Sequence, residues 1–331
     1  MRRLATALLI ACATLQAAHA TAPARSAASS PQKPPAAAAA PAPSAQKGSA
    51  PLPSGEITPF RRLEPGLELG EFASTMAAAG DRLIHVARID PLRYRLRLLN
   101  ASADPQAAAL TARQWAERNH LAAAINASMY QADLRSSVAL MLTQGHVNNP
   151  NLSKDKAVLA FDPADPALPP VQIIDRECQD FEALRRSYGT LVQNIRMVSC
   201  DGRNVWAAQP HAWSIAAIGI DRQGRVLLLH ARAPHTTHDF IETVLGLPLD
   251  LKNAMYVEGG REAQLFVRGG GRDYEFTGTS DENDPGGIPV PAWPIPNVIG
   301  VEPFAATGSG AVAAPPRRAT KTPPSSQRPR R

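Results

Sequence analysis

From residue 67 onward, hydrophobic and polar positions alternate in short runs of period two. LELGEF (67–72), RLIHVARID (82–90) and YRLRLLN (94–100) read as strands. The last sets Tyr94, Leu96 and Leu98 against Arg95 and Arg97, the pattern of a sheet with one wet face. The period then lengthens. In LTARQWAERN (110–119), Leu110, Ala112, Trp115 and Ala116 recur at helical spacing, with Thr111 placed as a cap. AAAINASMY (122–130) is an apolar run ending in polar groups, as a central strand entering a site would be. Residues 137–142 and 157–161 read as further strands, and 177–188 as a helix carrying Phe181, Leu184 and Tyr188. WSIAAIGIDRQGRVLLLHARA (213–233) reads as a hairpin turning at Asp221-Arg222-Gln223-Gly224. A helix over about 238–245 follows, then the run NAMYVEGGREAQLFV (253–267). This order of elements predicts an α+β fold: a mixed or largely antiparallel sheet with helices packed on it, in a single domain over 56–302.

The two ends lack this patterning. Residues 1–20 (MRRLATALLIACATLQAAHA) have two arginines, an apolar stretch and the small-x-small ending Ala18-His19-Ala20 of a cleavable export signal. Leu9-Ile10-Ala11-Cys12 also fits a lipoprotein cleavage box that would lipidate Cys12, the alternative being a small residue in the signal's apolar region. Residues 21–55 are Ala, Pro, Ser and a few basic residues, a composition that cannot bury enough apolar surface to fold and reads as a disordered linker. Residues 303–331 are of the same kind, with a basic end. The expected location is exported, periplasmic or extracellular.

Charge follows the same partition. Of the 35 basic residues, eleven lie before Glu56 or after Glu302, where there are no acids, so the central part keeps 24 against 29 acids. The overall positive charge belongs to the ends, which argues against a nucleic-acid-binding core. A tail ending in Arg328, Arg330 and Arg331 suits contact with a membrane or an anionic envelope polymer, although such a tail is more often a solvated end. Beyond the signal-like segment two cysteines remain, Cys178 and Cys200. In an exported chain they suggest a disulfide, with buried free thiols as the alternative.

Polar groups at strand ends carry the candidate chemistry. Glu258 stands before Gly259-Gly260, where glycines let the backbone turn and a ligand approach, and an acid there can serve as acid, base or nucleophile if its pKa is tuned. Alone, the same pattern describes an ordinary turn. Asn126 and Ser128 must find partners at the end of their apolar run, in a buried network or on a ligand. In LVQNIRMVSC, Arg196 presents a fork suited to phosphate or to a surface acid, and Gln193 lies beside it. His235 and His238 are spaced as a weak metal pair with no third ligand, so His238 and Asp239 read better as capping or site hydrogen-bonding groups. Ser214 lacks the surroundings of a hydrolase nucleophile. No metal or cofactor is called for.

Taken in order, INASMY, QNIR, the AIGID-x-x-G hairpin, AMYVEGG-x-x-A-x-L-F-V and the closing WPIPNVIG resemble the phosphodiester glycosidase family over roughly residues 66–301. The resemblance implies a hydrolase, in its bacterial exported branch, that cleaves the bond between an anomeric carbon and a phosphodiester in envelope glycans or related sugar phosphates. It places Asn126 at the family's Asn-bearing strand end and Glu258-Gly259-Gly260 where many members have Asp-Gly-Gly. The glutamate in place of aspartate is one departure, and two more stand out. Arg261-Glu262-Ala263 follow the glycines in place of a small hydroxylated pair, and Ser214-Ile215-Ala216 occupy the place where many members carry an arginine. The implied site is therefore Glu258 as main carboxylate, Arg196 and Arg261 on the phosphate, and Asn126 with Gln193 orienting sugar or acid. Ser214, His238, Gly259 and Gly260 would line it, and Asp133 or Asp239 would supply any second carboxylate. The alternative is a non-catalytic sugar- or sugar-phosphate-binding protein of the same fold.

Overall fold

The computed structural model describes residues 59–75, 82–104, 106, 108–279 and 291–304. The signal-like segment, the 21–55 linker and the tail beyond Phe304 lie outside the described residues. The strands are β1 (Phe60–Glu64), β2 (Leu67–Ala73), β3 (Leu83–Ile89), β4 (Tyr94–Asn100), β5 (Ala123–Asn126), β6 (Met141–Thr143), β7 (His146–Asn149) and β8 (Ala157–Pro163). They continue with β9 (Val171–Asp175), β10 (Tyr188–Val198), β11 (Trp213–Asp221), β12 (Val226–His235), β13 (Leu251–Gly259), β14 (Gln264–Gly269), β15 (Arg272–Thr277) and β16 (Asn297–Pro303). Among the described residues three α-helices accompany them: α1 (Ala112–Asn119), the single turn α2 (Phe181–Leu184) and α3 (Thr237–Gly246).

The strands form two sheets. The larger runs β1-β2-β3-β12-β11-β13-β10-β6-β7, with β8 and β9 branching from β10, and the smaller runs β15-β14-β5-β16-β4. Their inner faces make one core, in which Leu69, Ala87, Ile218 and Met255 of the larger sheet meet Leu96, Ile125, Leu265 and Ile299 of the smaller. The outer face of the larger sheet is covered by α3 through Phe240, Ile241 and Val244, and that of the smaller by α1 through Trp115 and Ala116. β4 shows why these residues choose a sheet. Its Tyr94, Leu96 and Leu98 are buried, while Arg95 and Arg97 reach Glu302 on β16 at 2.9 and 3.4 Å.

The α+β expectation is thus corrected in kind. Every strand pair among the described residues is antiparallel and the helices are few and short, so the fold is largely β. The helix expected over 177–188 shrinks to α2, because Tyr188 opens the long strand β10, where it pairs with Pro163 of β8, followed by Thr190 with Phe161 and Leu191 with Ala160. The strand expected over 137–142 is confined to β6, since Ser137 makes only an isolated bridge to Tyr130. The α1 expectation holds in detail: Thr111 accepts from the Gln114 amide, and Gln114 answers with a reciprocal bond to the Thr111 amide. The hairpin also holds, with Gly224 at φ +81° and the Asp221 carboxylate receiving the amides of Gln223 and Arg225.

Candidate active site

Between β13 and β14 the chain crosses from the larger sheet to the smaller through the short turn Gly260–Glu262. Glu258 lies at the last step before that crossing. Pairing with β11 shifts register here: Ala217 stands opposite Tyr256 and Ala216 opposite Glu258, leaving Val257 as the extra residue of a bulge. A bulge re-aims the side chains beyond it. Opposite Ala216, which belongs to the core between the sheets, Glu258 takes the inner face. Its Oε1 accepts from the Gly259 amide at 3.0 Å.

Two side chains brace the turn from outside. Asn126, buried at the end of β5, donates from Nδ2 to the Glu262 carbonyl and accepts from the Gln264 amide, both at 2.8 Å. Ser214 accepts from the Thr279 amide at 2.8 Å and donates to the Arg232 carbonyl, which fixes the segment after β15 over the turn. Both glycines are required. Gly260 has φ +63°, and a Cβ on Gly259 would overlap the Tyr256 hydroxyl and lie 2.7 Å from Cδ1 of Trp213.

Burial drives the Glu258 carboxyl up to about 8, with the Glu262 carboxylate raising it further against the lowering effect of the Gly259 amide. Near neutrality Glu258 therefore keeps its proton. Glu262 Oε2 lies 3.6 Å from the position a Gly260 Cβ would take, so the two acids stand on either side of the double glycine. Tyr130 and Tyr256 feel the same pair. Burial raises both phenols, and the carboxylates of Glu258 and Glu262 add to it. Arg261 lies flat on Trp293, its guanidinium carbon 3.6 Å from the ring centre, and opposes the acids at Tyr130.

Other residues singled out in the sequence are placed elsewhere or are already occupied. Gln193 is fully buried and spends its amide on backbone: Nε2 donates to the carbonyls of Ser153 and Asp155, and Oε1 accepts from the amides of Ser153 and Leu140. Arg196 is held by Asp175 at 2.9 Å and Glu177 at 3.1 Å. His238 lies in the first turn of α3 with Nδ1 3.3 Å from Asp239, and the cap of that helix is Thr236. Of the two acids expected as partners, Asp133 stabilises an exposed turn through Ser136 and the Arg135 amide, and Asp239 lies in the first turn of α3. The acid coupled to Glu258 is Glu262. The residues that sequence reasoning missed as a site are Glu262, Tyr130 and Trp293. The available signal was a second acid four residues after Glu258, directly across the two glycines.

Cys178 and Cys200 form a disulfide, as expected, and the bond fits an oxidising, extracytoplasmic compartment. With Asp175 these sulfurs make the metal-like grouping found among the described residues, but in a disulfide they have no thiolate to offer.

The fold has solved counterparts. The catalytic domain of zebrafish N-acetylglucosamine-1-phosphodiester alpha-N-acetylglucosaminidase, auto-inhibited by its pro-peptide, matches with TM-score 0.54 at 14% identity, over 73% of this chain and 85% of that one. A hypothetical protein from Synechocystis matches with TM-score 0.46 at 15% identity, over 72% and 62%. A Burkholderia pseudomallei protein described as exported matches with TM-score 0.45 at 12% identity, over 67% and 74%. At these identities the first likeness speaks for the fold alone, and the other two carry no argument. No curated protein sequence matches significantly. The model of the phosphodiester glycosidase family matches residues 119–302, a span that holds Asn126, Glu258, Glu262 and the crossing turn between the sheets. On that match, which covers more than half of its length, the chain belongs to the phosphodiester glycosidase family.

Proposed function

We propose that this protein is an exported hydrolase that cleaves the bond between the anomeric carbon of a sugar and a phosphodiester oxygen, in envelope glycans or related sugar phosphates. The observation that carries the reading is Glu258, an acid kept protonated by burial beside a second carboxylate at a glycine turn. Glycoside cleavage uses this division of labour, one carboxyl group giving a proton to the departing oxygen and the other meeting the positive charge at the anomeric carbon. Glu258 protonates the phosphate oxygen as its bond to carbon breaks. Glu262 faces the oxocarbenium-like centre and takes a proton from the water that adds there, so the products are a free sugar and a phosphomonoester. Arg261 is the cation for the phosphate, held in place by Trp293. Asn126 and Ser214 act as positioning residues through the backbone of the turn. The N-terminal export pattern and the disulfide support the location.

One observation favours a second reading, a pocket that binds sugar phosphate without turnover. Arg196, offered by the sequence for the phosphate, is spent on Asp175 and Glu177. Incubation of the purified protein with a panel of sugar-1-phosphodiesters separates the two, beginning with the N-acetylglucosamine-1-phosphodiester named for the zebrafish enzyme. Thermal melting is recorded on the same samples. Hydrolysis is expected, falling as pH rises through about 8 where Glu258 loses its proton. Glu262→Gln should lower turnover and also shift that alkaline limb to lower pH, because it removes a charge that raises Glu258. Raised melting temperature without turnover would favour the binding reading, and neither effect would leave the fold without this function.

A further inference from the structure

Over the end of β10, between the 154–156 turn and the 205–209 segment, lies a cleft of about 530 Å³ that none of the chemistry above uses. Such a volume is that of a small-ligand site. Its floor is Ile195 and Arg196, one wall is the Lys154-Asp155-Lys156 turn, and the other is the extended segment 205–209 with Trp206.

Both walls are fixed in advance. The Ser153 and Asp155 carbonyls each receive Gln193 Nε2 and Arg176 Nη1, so the turn is tied to buried or half-buried side chains. Trp206 donates its indole N–H to the Arg196 carbonyl at 2.8 Å, takes its own amide to Asn204, and sets its ring 5.8 Å from that of Tyr256. Sites ordered beforehand lose less entropy on binding.

The charge in the cleft is balanced rather than cationic. Arg196 is neutralised by Asp175 and Glu177, Lys156 lies 3.5 Å from Glu177, and Asp155 stands next to Lys154. A polyanion gains little there. A half-buried indole beside donors and acceptors of both signs (Lys154, Asp155, Gln209) matches instead the alternating apolar faces and hydroxyl edges of a neutral sugar ring.

The cleft lies on the Tyr256 face of the larger sheet and meets the strand that carries Glu258 through that ring. Ile195 stands opposite Tyr256 in the β10–β13 register, Trp206 packs on Tyr256, and the Tyr256 hydroxyl reaches the position of Gly259, next to Glu258. We propose that this cleft is a saccharide subsite: it holds a neutral sugar unit of the substrate other than the one whose anomeric bond is cut, with Trp206 as platform and Lys154, Asp155 and Gln209 on its hydroxyls. The assignment to a substrate rests on the proposed hydrolase, whereas sugar binding in the cleft does not.

The test is equilibrium binding of the full chain carrying Glu258→Gln to an array of neutral and sulfated oligosaccharides, with hits remeasured in solution. A neutral oligosaccharide should bind, and Trp206→Ala should weaken it by at least ~10-fold, the loss of one aromatic anchor. Because Trp206 also packs on Tyr256 and Gln209 Nε2 donates to Thr237 at 3.4 Å, the exposed Lys154→Ala is measured beside Gln209→Ala, each expected to weaken binding, and Lys154→Ala with an unchanged melting temperature. Equal affinity in all three variants overturns the proposal, as does binding confined to sulfated glycans and abolished by salt. Absence of glycan binding in a chain that still hydrolyses small sugar-1-phosphodiesters overturns this subsite and leaves the hydrolase standing. Binding lost with Trp206→Ala in a wild-type chain without turnover supports the subsite and removes the hydrolase.

Discussion

Glu258 has an ordinary carboxyl value of 4.5 and is raised to about 8 in the folded chain. Between those limits the folded state keeps a proton that the unfolded state has released, so stability falls as pH rises across that window and is fully present below it. The full shift corresponds to an upper bound on the order of a few kcal/mol. Glu258→Gln has no charge to bury. Its melting temperature should match that of the wild type near pH 4 and exceed it increasingly up to about pH 9; parallel curves over that range would mean that Glu258 ionises as freely folded as unfolded. The cost of ionising this acid is thus set by its own burial and by Glu262, while the Gly259 amide works against both.

Among elements, the stretch from β9 to the end of β10 is tied by both ion pairs and a covalent bond. Asp175 at the end of β9 accepts from the amides of Glu177 and Cys200 and from Arg196, and the Cys178–Cys200 bond closes the same 22-residue span. Replacing both cysteines by serine should cost ~3 kcal/mol, read as a lower urea midpoint with a slope equal to or steeper than that of the wild type; an unchanged midpoint would show that the ion pairs alone hold the span. This region also shows how far the sequence is legible. The hairpin β11–β12 and helix α1 follow from turn and capping chemistry that acts within a few residues. In 177–188 the helical spacing of Phe181, Leu184 and Tyr188 competes with the strand pairing of Tyr188, which is decided by β8, far from it in the chain. The same holds at the site. Glu258 and Asn126 were legible as polar groups at strand ends. The occupation of Gln193 and Arg196 by the 153–155 turn and by Asp175 depends on contacts that no local pattern encodes. Glu262 was visible, yet only the φ of Gly260 and the grip of Asn126 set it across from Glu258.

For the molecule as a whole, two antiparallel sheets sandwich one core, a helix covers each outer face, and the chain passes between the sheets at the turn that carries the acids. The basic excess lies in the ends, so the central part carries no net positive charge, and the proposed phosphate contact rests on one local cation, Arg261 on Trp293. The measurement that tests the account most directly is hydrolysis of a sugar-1-phosphodiester in ¹⁸O-labelled water by the wild-type chain and by Glu258→Gln. Cleavage at the anomeric carbon predicts label in the released sugar, none in the phosphomonoester, and a loss of ~1,000-fold in the variant. Label in the phosphate, or equal turnover by the variant, would contradict it.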